Sequence, residues 1–452
     1  MATAISYDRD HRLTVTGLDC ACGLTHQKPD QDIYVGAGIL PRLPEYIKRR
    51  NLGTRCVLVA DEHTYEAAGR ETELLLREAG YAVTLCLIRR PGAMEPDERA
   101  CGELLLSIRE DTEFLVSVGS GSLTDTARVC AARCRLPFVC VGTAPSMDGY
   151  TSVVAPLILR GVKIHRQGPC PDIILCDLDI LRRAPPDMVI SGVGDVLGKY
   201  ISVADWRIGA EINDEIYCPV CGSIVLDAVA KLMDNIDGIR TRSEEGIRAL
   251  IEALLLAGLT VLIVGHTRAV ASAEHNIAHY WEMQMLARRQ APPMHGASVG
   301  VATRLLWPVF KCFATEGLPD TLDADALLHG RMTHEQREQW MLRAYGEEVA
   351  RAIMADNPGD FLTDEEHLRR VQRARERLPR IRAIIGDMPP EEVLTDAMRR
   401  LGAPMTPADL GLDDELVNLS MHCAKDYRTR YTLLKLLDEC GLLDEYLKDY
   451  VI

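Results

Sequence analysis

Phe114-Leu115-Val116-Ser117-Val118-Gly119-Ser120-Gly121-Ser122-Leu123-Thr124-Asp125 joins a continuous apolar run to a glycine turn and a helix start. Small residues between a strand and a helix let backbone amides meet a diphosphate at the helix N-terminus. The turn is not the full G-x-G-x-x-G pattern, because residue 124 is Thr, so by itself it is also a plain structural turn. Its neighbours give it a context. Strand-like runs at 32–36, 55–61, 82–88 and 138–141 alternate with helix-like stretches at 40–50, 65–79, 95–110 and 125–133. The strands are apolar throughout rather than every second residue, which predicts a parallel sheet covered on both faces. Such sheets bind ligands at the carboxyl ends of their strands.

Asp61 closes the 55–61 run, and an acid there suits a ribose hydroxyl. In that role it would repel a 2′-phosphate and favour NAD over NADP. Thr143, Ser146 and Asp148 crowd the loop beyond the 138–141 strand, as in a loop that touches nicotinamide or substrate or in a simple Ser/Thr/Asp turn.

Beyond about residue 185 the strand signals thin out. Long amphipathic patterns take over at 222–235, 245–264, 269–288, 297–313 and 334–355. The predicted architecture is an α/β dinucleotide-binding domain over 1–183 followed by an all-α metal-binding domain over 184–452. The basic stretch 369–385 reads as a solvated helix with i,i+4 pairs. The apolar window 249–264 includes Glu252 and Gly258 and reads as a buried helix, not a membrane span.

Of 452 residues, 47% are apolar and 26% charged, as in an ordinary globular protein. A net charge of -15 argues against non-specific nucleic-acid binding. The start, Met1 to Asp8, carries no signal-peptide or lipidation pattern, so a cytoplasmic protein without membrane insertion is expected. The fifteen cysteines read mostly as reduced core thiols. Cys20, Cys22 and His26 form one local cluster, and Cys218 and Cys221 another; each resembles half of a zinc site. Neither half supplies four ligands, so each alone reads as free thiols.

Asp195 sits between Gly194 and Val196-Leu197-Gly198 and reads as lying at a helix entrance, where an N-capping role is the plain alternative. His275 and His279 are i and i+4 and share one helical face. His295 follows Pro292-Pro293-Met294 at a loop or helix start. One carboxylate with distant imidazoles suits a divalent metal with an open position, though this set has no diagnostic spacing.

The strings Gly119-Ser120-Gly121, Ser146 to Ser152, Gly194 to Tyr200, Ala204-Asp205-Trp206, Ser272 to Met283 and His295-Gly296, taken in order, resemble the sn-glycerol-1-phosphate dehydrogenase family. That family lies within the iron-alcohol dehydrogenase, glycerol dehydrogenase and dehydroquinate synthase group. The tail Ala424 to Thr432 resembles its longer bacterial members. Ala297-Ser298 and Leu123-Thr124 depart from the usual pattern. The resemblance implies reversible, NAD(P)H- and metal-dependent reduction of dihydroxyacetone phosphate to sn-glycerol 1-phosphate, in phospholipid metabolism. It implies Asp195, His275 and His295 as ligands of zinc, nickel or iron. It also implies Gly119, Ser120, Gly121, Asp125, Thr143 and Ser146, with Asp61, around the nucleotide. Asp148 and His279 become candidates for proton relay, Asp148 and Lys199 for substrate contact, and a dimer or larger homo-oligomer is expected. The alternatives are a glycerol or other polyol dehydrogenase and, more remotely, a non-catalytic nucleotide- or metal-binding regulator.

Overall fold

The computed structural model describes residues 4–18, 20–160, 162–357 and 361–451. Met1–Thr3, where the stretch read as lacking a leader begins, lie outside the described residues. In chain order the strands are β1 (Ala4–Tyr7), β2 (Leu13–Thr16), β3 (Asp32–Gly36), β4 (Arg55–Asp61), β5 (Ala82–Ile88), β6 (Phe114–Gly119), β7 (Phe138–Gly142), β8 (Val154–Leu159), β9 (Val162–Gln167) and β10 (Ile173–Asp177). Six of them form one parallel sheet in the order β3-β10-β7-β6-β4-β5. β1–β2 and β8–β9 are separate antiparallel pairs.

Continuous apolar strands make sense here because the sheet is buried on both faces. Cys56, Leu58 and Ala60 of β4 enter a core with Leu43, Tyr46 and Leu76. Val57 and Val59, pointing the other way, join Leu104, Leu123, Ala127 and Phe138. From β4 the chain adds β5 on one side and then β6 on the other. That reversal makes a switch point between β4 and β6, the place where such sheets bind ligands. Asp61 and Gly119 terminate those two strands.

The molecule divides into two units, but not by a single cut near residue 183. One comprises Met1–Ala21, Thr25–Val196 and Ser223–His266; the other comprises Cys22–Leu24, Leu197–Gly222 and Thr267–Ile452. The helix Glu244–Val264 lies beyond residue 183 yet packs within the sheet-bearing unit, because its largely apolar surface is buried there. It is long and apolar enough to cross a membrane, yet 89% of its most apolar window is buried inside the protein. Gly258 on this helix faces the turn Gly149–Thr151 so closely that a Cβ there would meet Thr151 Oγ1 at 2.1 Å and the Asp148 carbonyl oxygen at 2.4 Å. Thr151 Oγ1 also donates to the Leu255 carbonyl at 3.1 Å.

The second unit is helical. Ala273–Ala287 packs against His295–Glu316, which in turn packs against Asp364–Gly386 and Lys199–Ile212. Trp206, Trp281 and Trp307 are fully buried there. The basic helix Asp364–Gly386 is not balanced within itself as expected. Arg369 and Arg373 pair with Asp214, Arg377 and Arg380 with Glu211, and Arg370 with Glu439. The pattern at 334–355 is two helices, parted at Gly346 with φ 76°.

Candidate active site

In the sheet-bearing unit the glycine turn leads into the helix Gly121–Cys134, whose first amides face out past the end of β6. A Cβ on Gly119 would come within 2.4 Å of Leu123 Cδ1, so the turn is packed tightly over its own helix. Ser120 Oγ and Ser146 Oγ share a hydrogen bond of 2.6 Å, joining this turn to the loop after β7. Thr143 N–H donates to the Gly119 carbonyl at 3.1 Å. Gly119, Ser120, Gly121, Thr143 and Ser146 are thus brought together. Asp61 lies on the opposite lip of the switch point, where its Oδ1 accepts the Thr64 N–H at 2.7 Å and caps a short helix.

Asp125 is buried beneath the turn. Burial pushes its carboxyl up to about 7, against the pull of Arg128 and Lys163, and the nearby Asp148 pushes it further. The buried Arg128 guanidinium donates to the carbonyls of Ser152 and Gly149 at 2.5 and 2.6 Å, pinning the far end of the Asp148 loop.

Asp195 is fully buried, in the last turn of the helix Pro186–Leu197 rather than at a helix entrance. Val189, Val193, Val196 and Leu197 fall on one buried face and carry the helix through both glycines. Asp195 Oδ2 accepts the Asp148 N–H at 2.9 Å. Gly192 makes this possible: a Cβ there would lie 1.9 Å from the Pro145 carbonyl oxygen. Ser191 Oγ donates to the Ser146 carbonyl at 3.1 Å, a second tie between helix and loop.

In the helical unit three imidazoles meet. Ring centroids of His275 and His295 are 5.3 Å apart, and those of His279 and His295 are 5.1 Å apart and nearly parallel. His295 is the first residue of its helix. The His275 Nδ1 donates to Glu274 Oε1 at 2.7 Å, and the His295 Nδ1 donates to Glu282 Oε1 at 2.7 Å. The other Glu282 oxygen lies 3.6 Å from His279 Nδ1. Tying both Nδ1 atoms to buried carboxylates fixes the ring orientations and makes Nε2 the atom each ring can offer to a ligand. Glu274 also accepts the Ser272 N–H at 2.9 Å, and Ser272 Oγ donates to Asp205 Oδ2 at 2.7 Å. Burial pushes the Asp205 carboxyl up to about 7.

Glu274 and Glu282 were not singled out by the sequence. Their signal was positional: one directly precedes His275, and the other stands one turn after His279. A cationic group also went unread. Burial first, then the like charges of Arg268 and Arg428, lowers Arg430 to about 10. Lys199 is fully buried, and its Nζ donates to the Val270 carbonyl at 3.0 Å. Tyr427 places its ring 5.9 Å from that of His279.

Residues 34–185 match the iron-containing alcohol dehydrogenase family model. The glycerol-1-phosphate dehydrogenase (NAD(P)+) of Halalkalibacterium halodurans is 32% identical over 93% of this chain and 96% of its own length. That of Bacillus subtilis is 36% identical over 63% of this chain and 73% of its own. Among solved structures, glycerol dehydrogenase from Schizosaccharomyces pombe aligns with a TM-score of 0.58 at 17% identity, over 96% of this chain and 92% of that one. Sulfoacetaldehyde reductase from Bifidobacterium kashiwanohense in complex with NAD+ aligns at 0.60 and 17%, over 94% and 98%. At these identities the structural likeness shows the fold.

Proposed function

This chain belongs to the glycerol-1-phosphate dehydrogenase family, and from that premise we propose how its own residues carry out the reaction. It reduces dihydroxyacetone phosphate to sn-glycerol 1-phosphate, reversibly, with a reduced nicotinamide nucleotide. The observation that carries this is the likeness to the Halalkalibacterium enzyme across nearly the whole of both chains.

Asp195, His275 and His295 are the proposed ligands of a divalent metal. The donor chemistry fits, since one carboxylate and two imidazoles suit zinc, nickel or iron and leave positions open. Glu274 and Glu282 supply the carboxylate–histidine hydrogen bonds that usually support such ligands. When bound, the ion polarises the ketone oxygen and the nicotinamide supplies hydride.

The amides after Gly119 and Gly121 receive the nucleotide diphosphate, and Asp61 receives a ribose hydroxyl. An acid in that position favours NAD over NADP. Thr143, Ser146 and Asp125 complete the nicotinamide side, and Asp148 meets nicotinamide and substrate. The alkoxide oxygen of the product needs one proton. His279, held by Glu282 and stacked on His295, is the relay, with Asp148 as the second candidate. Lys199 is the candidate contact for the substrate phosphate.

The test is oxidation of NADH and NADPH with dihydroxyacetone phosphate, using chelated protein resupplied with nickel, zinc or iron. Product is assigned against both glycerol phosphate enantiomers, with dihydroxyacetone as the unphosphorylated control. Metal-dependent formation of sn-glycerol 1-phosphate is expected. Turnover of dihydroxyacetone in preference to its phosphate would instead make the chain a polyol dehydrogenase.

A further inference from the structure

The two cysteine clusters that looked like halves of a zinc site come together. Cys20, Cys22 and His26 stand on one short loop, and the centre of that loop, Cys22–Leu24, packs as part of the helical unit that also holds Cys218. One donor atom from each of Cys20, Cys22, His26 and Cys218 lies within 4.8 Å of every other. Cys218 is fully buried, and the three loop residues are half-buried. None of these residues belongs to the site that binds nucleotide or substrate.

We propose that Cys20, Cys22, His26 and Cys218 form a second metal site, a closed structural zinc centre of three thiolates and one imidazole. Zinc bonds of about 2.0–2.3 Å in a tetrahedron put donors about 3.3–3.8 Å apart, so the cluster needs to contract by only about 1 Å. Its donors are already oriented. The His26 Nδ1 donates to the Leu18 carbonyl at 2.8 Å, which fixes the ring and leaves Nε2 as the ligating atom. The Cys221 N–H donates to Cys218 Sγ at 3.4 Å, the kind of bond that favours a thiolate. Cys218 immediately precedes the helix Pro219–Asp234, whose positive end favours the same charge state.

Soft thiolate donors exclude magnesium and calcium and select zinc over the harder divalent ions. Four protein ligands leave no open position, so this centre has a folding role rather than a catalytic one. It holds the loop Cys20–His26 onto the start of the helix Pro219–Asp234. Cys221 lies outside the four-donor group and acts through its backbone N–H.

The full-length protein, purified without an affinity tag after growth with zinc, is dialysed against EDTA and then titrated with an organomercurial. We expect one zinc per chain to survive dialysis and to be released only as thiols are mercurated. Cobalt loaded in place of zinc then gives thiolate-to-cobalt charge-transfer absorption, which a carboxylate–imidazole site cannot produce. The band is lost in Cys22→Ser and Cys218→Ser and kept in Cys221→Ser and His275→Ala. If the serine variants fail to fold, the native protein's zinc count and cobalt spectrum decide alone. No retained zinc together with no charge-transfer band overturns the proposal, as does a thiol titration showing a disulfide among these cysteines. The band reports thiolates, so failure of dihydroxyacetone phosphate turnover would leave it unaffected.

Discussion

Gly192→Ala places a methyl group where the Pro145 carbonyl oxygen already lies, 1.9 Å from the new Cβ. Ordinary contact begins near 3.4 Å, so helix and loop must part by about 1.5 Å. Half of that movement takes the Asp148 N–H to Asp195 bond from 2.9 Å and the Ser191 to Ser146 bond from 3.1 Å beyond hydrogen-bonding range. Two lost bonds at about 1 kcal/mol each, with about 1–3 kcal/mol for overpacking, total about 3–5 kcal/mol. For a unit of this size, that lowers the first thermal transition by about 6–20 °C. NADH binding, followed by its fluorescence, weakens as the loop carrying Thr143 and Ser146 retreats. Gly102→Ala is the matched control: a Cβ there meets nothing within 4 Å, and the change stabilises its helix by about 0.5–1 kcal/mol. A Gly192→Ala protein with an unchanged transition and unchanged NADH affinity would refute the close approach and the support it gives Asp148.

His275→Ala removes a proposed ligand without a large core cavity, so catalytic metal and turnover should be lost while circular dichroism is unchanged; equal metal content and rate in the variant would remove the assignment. Glu282→Gln leaves the His295 ring in place but weakens its orienting bond, and metal affinity measured by competing chelator should fall about 10- to 100-fold. For Asp125, burial raises the folded-state pKa to about 7, above that of the unfolded chain, so the folded state holds the extra proton between about pH 4 and 7. Its contribution is therefore fully present below that window and lost as pH rises through it. Denaturant midpoints for Asp125→Asn should accordingly gain on the parent from pH 5 to pH 7, and a constant difference would contradict the buried carboxyl.

The strands at 32–36, 55–61, 82–88, 114–118 and 138–141 were legible because burial against helices leaves few polar positions, such as Thr84 and Ser117, to blur an apolar run. β10 was passed over, although Ile173-Ile174-Leu175-Cys176 carries the same signature. Its place between β3 and β7 depends on pairings between residues far apart in the chain, which local pattern does not encode. The helix Glu244–Val264 was legible as buried, but a helix buried on nearly all sides has no single apolar face to indicate which core it joins. Asp195 was assigned to the wrong end of a helix because Gly194 and Gly198 read as boundaries. Gly192, however, is there for a close approach rather than a break. For the site, chemistry named the histidines, while the carboxylates behind them went unremarked because surface glutamates look the same in sequence.

The assignment of residues 223–266 to the sheet-bearing unit bears on how the protein is made. A ribosome delivers all six strands of the sheet well before it delivers the helix Glu244–Val264, which covers the turn at Gly149–Thr151. Until then the nascent chain displays an apolar seat, and the helix that fills it emerges as a segment hydrophobic enough to attract chaperones or a membrane. Shortened versions ending after Val196 will inherit that exposed seat permanently, so the sheet-bearing unit is obtained by joining its pieces, not by cutting the gene once.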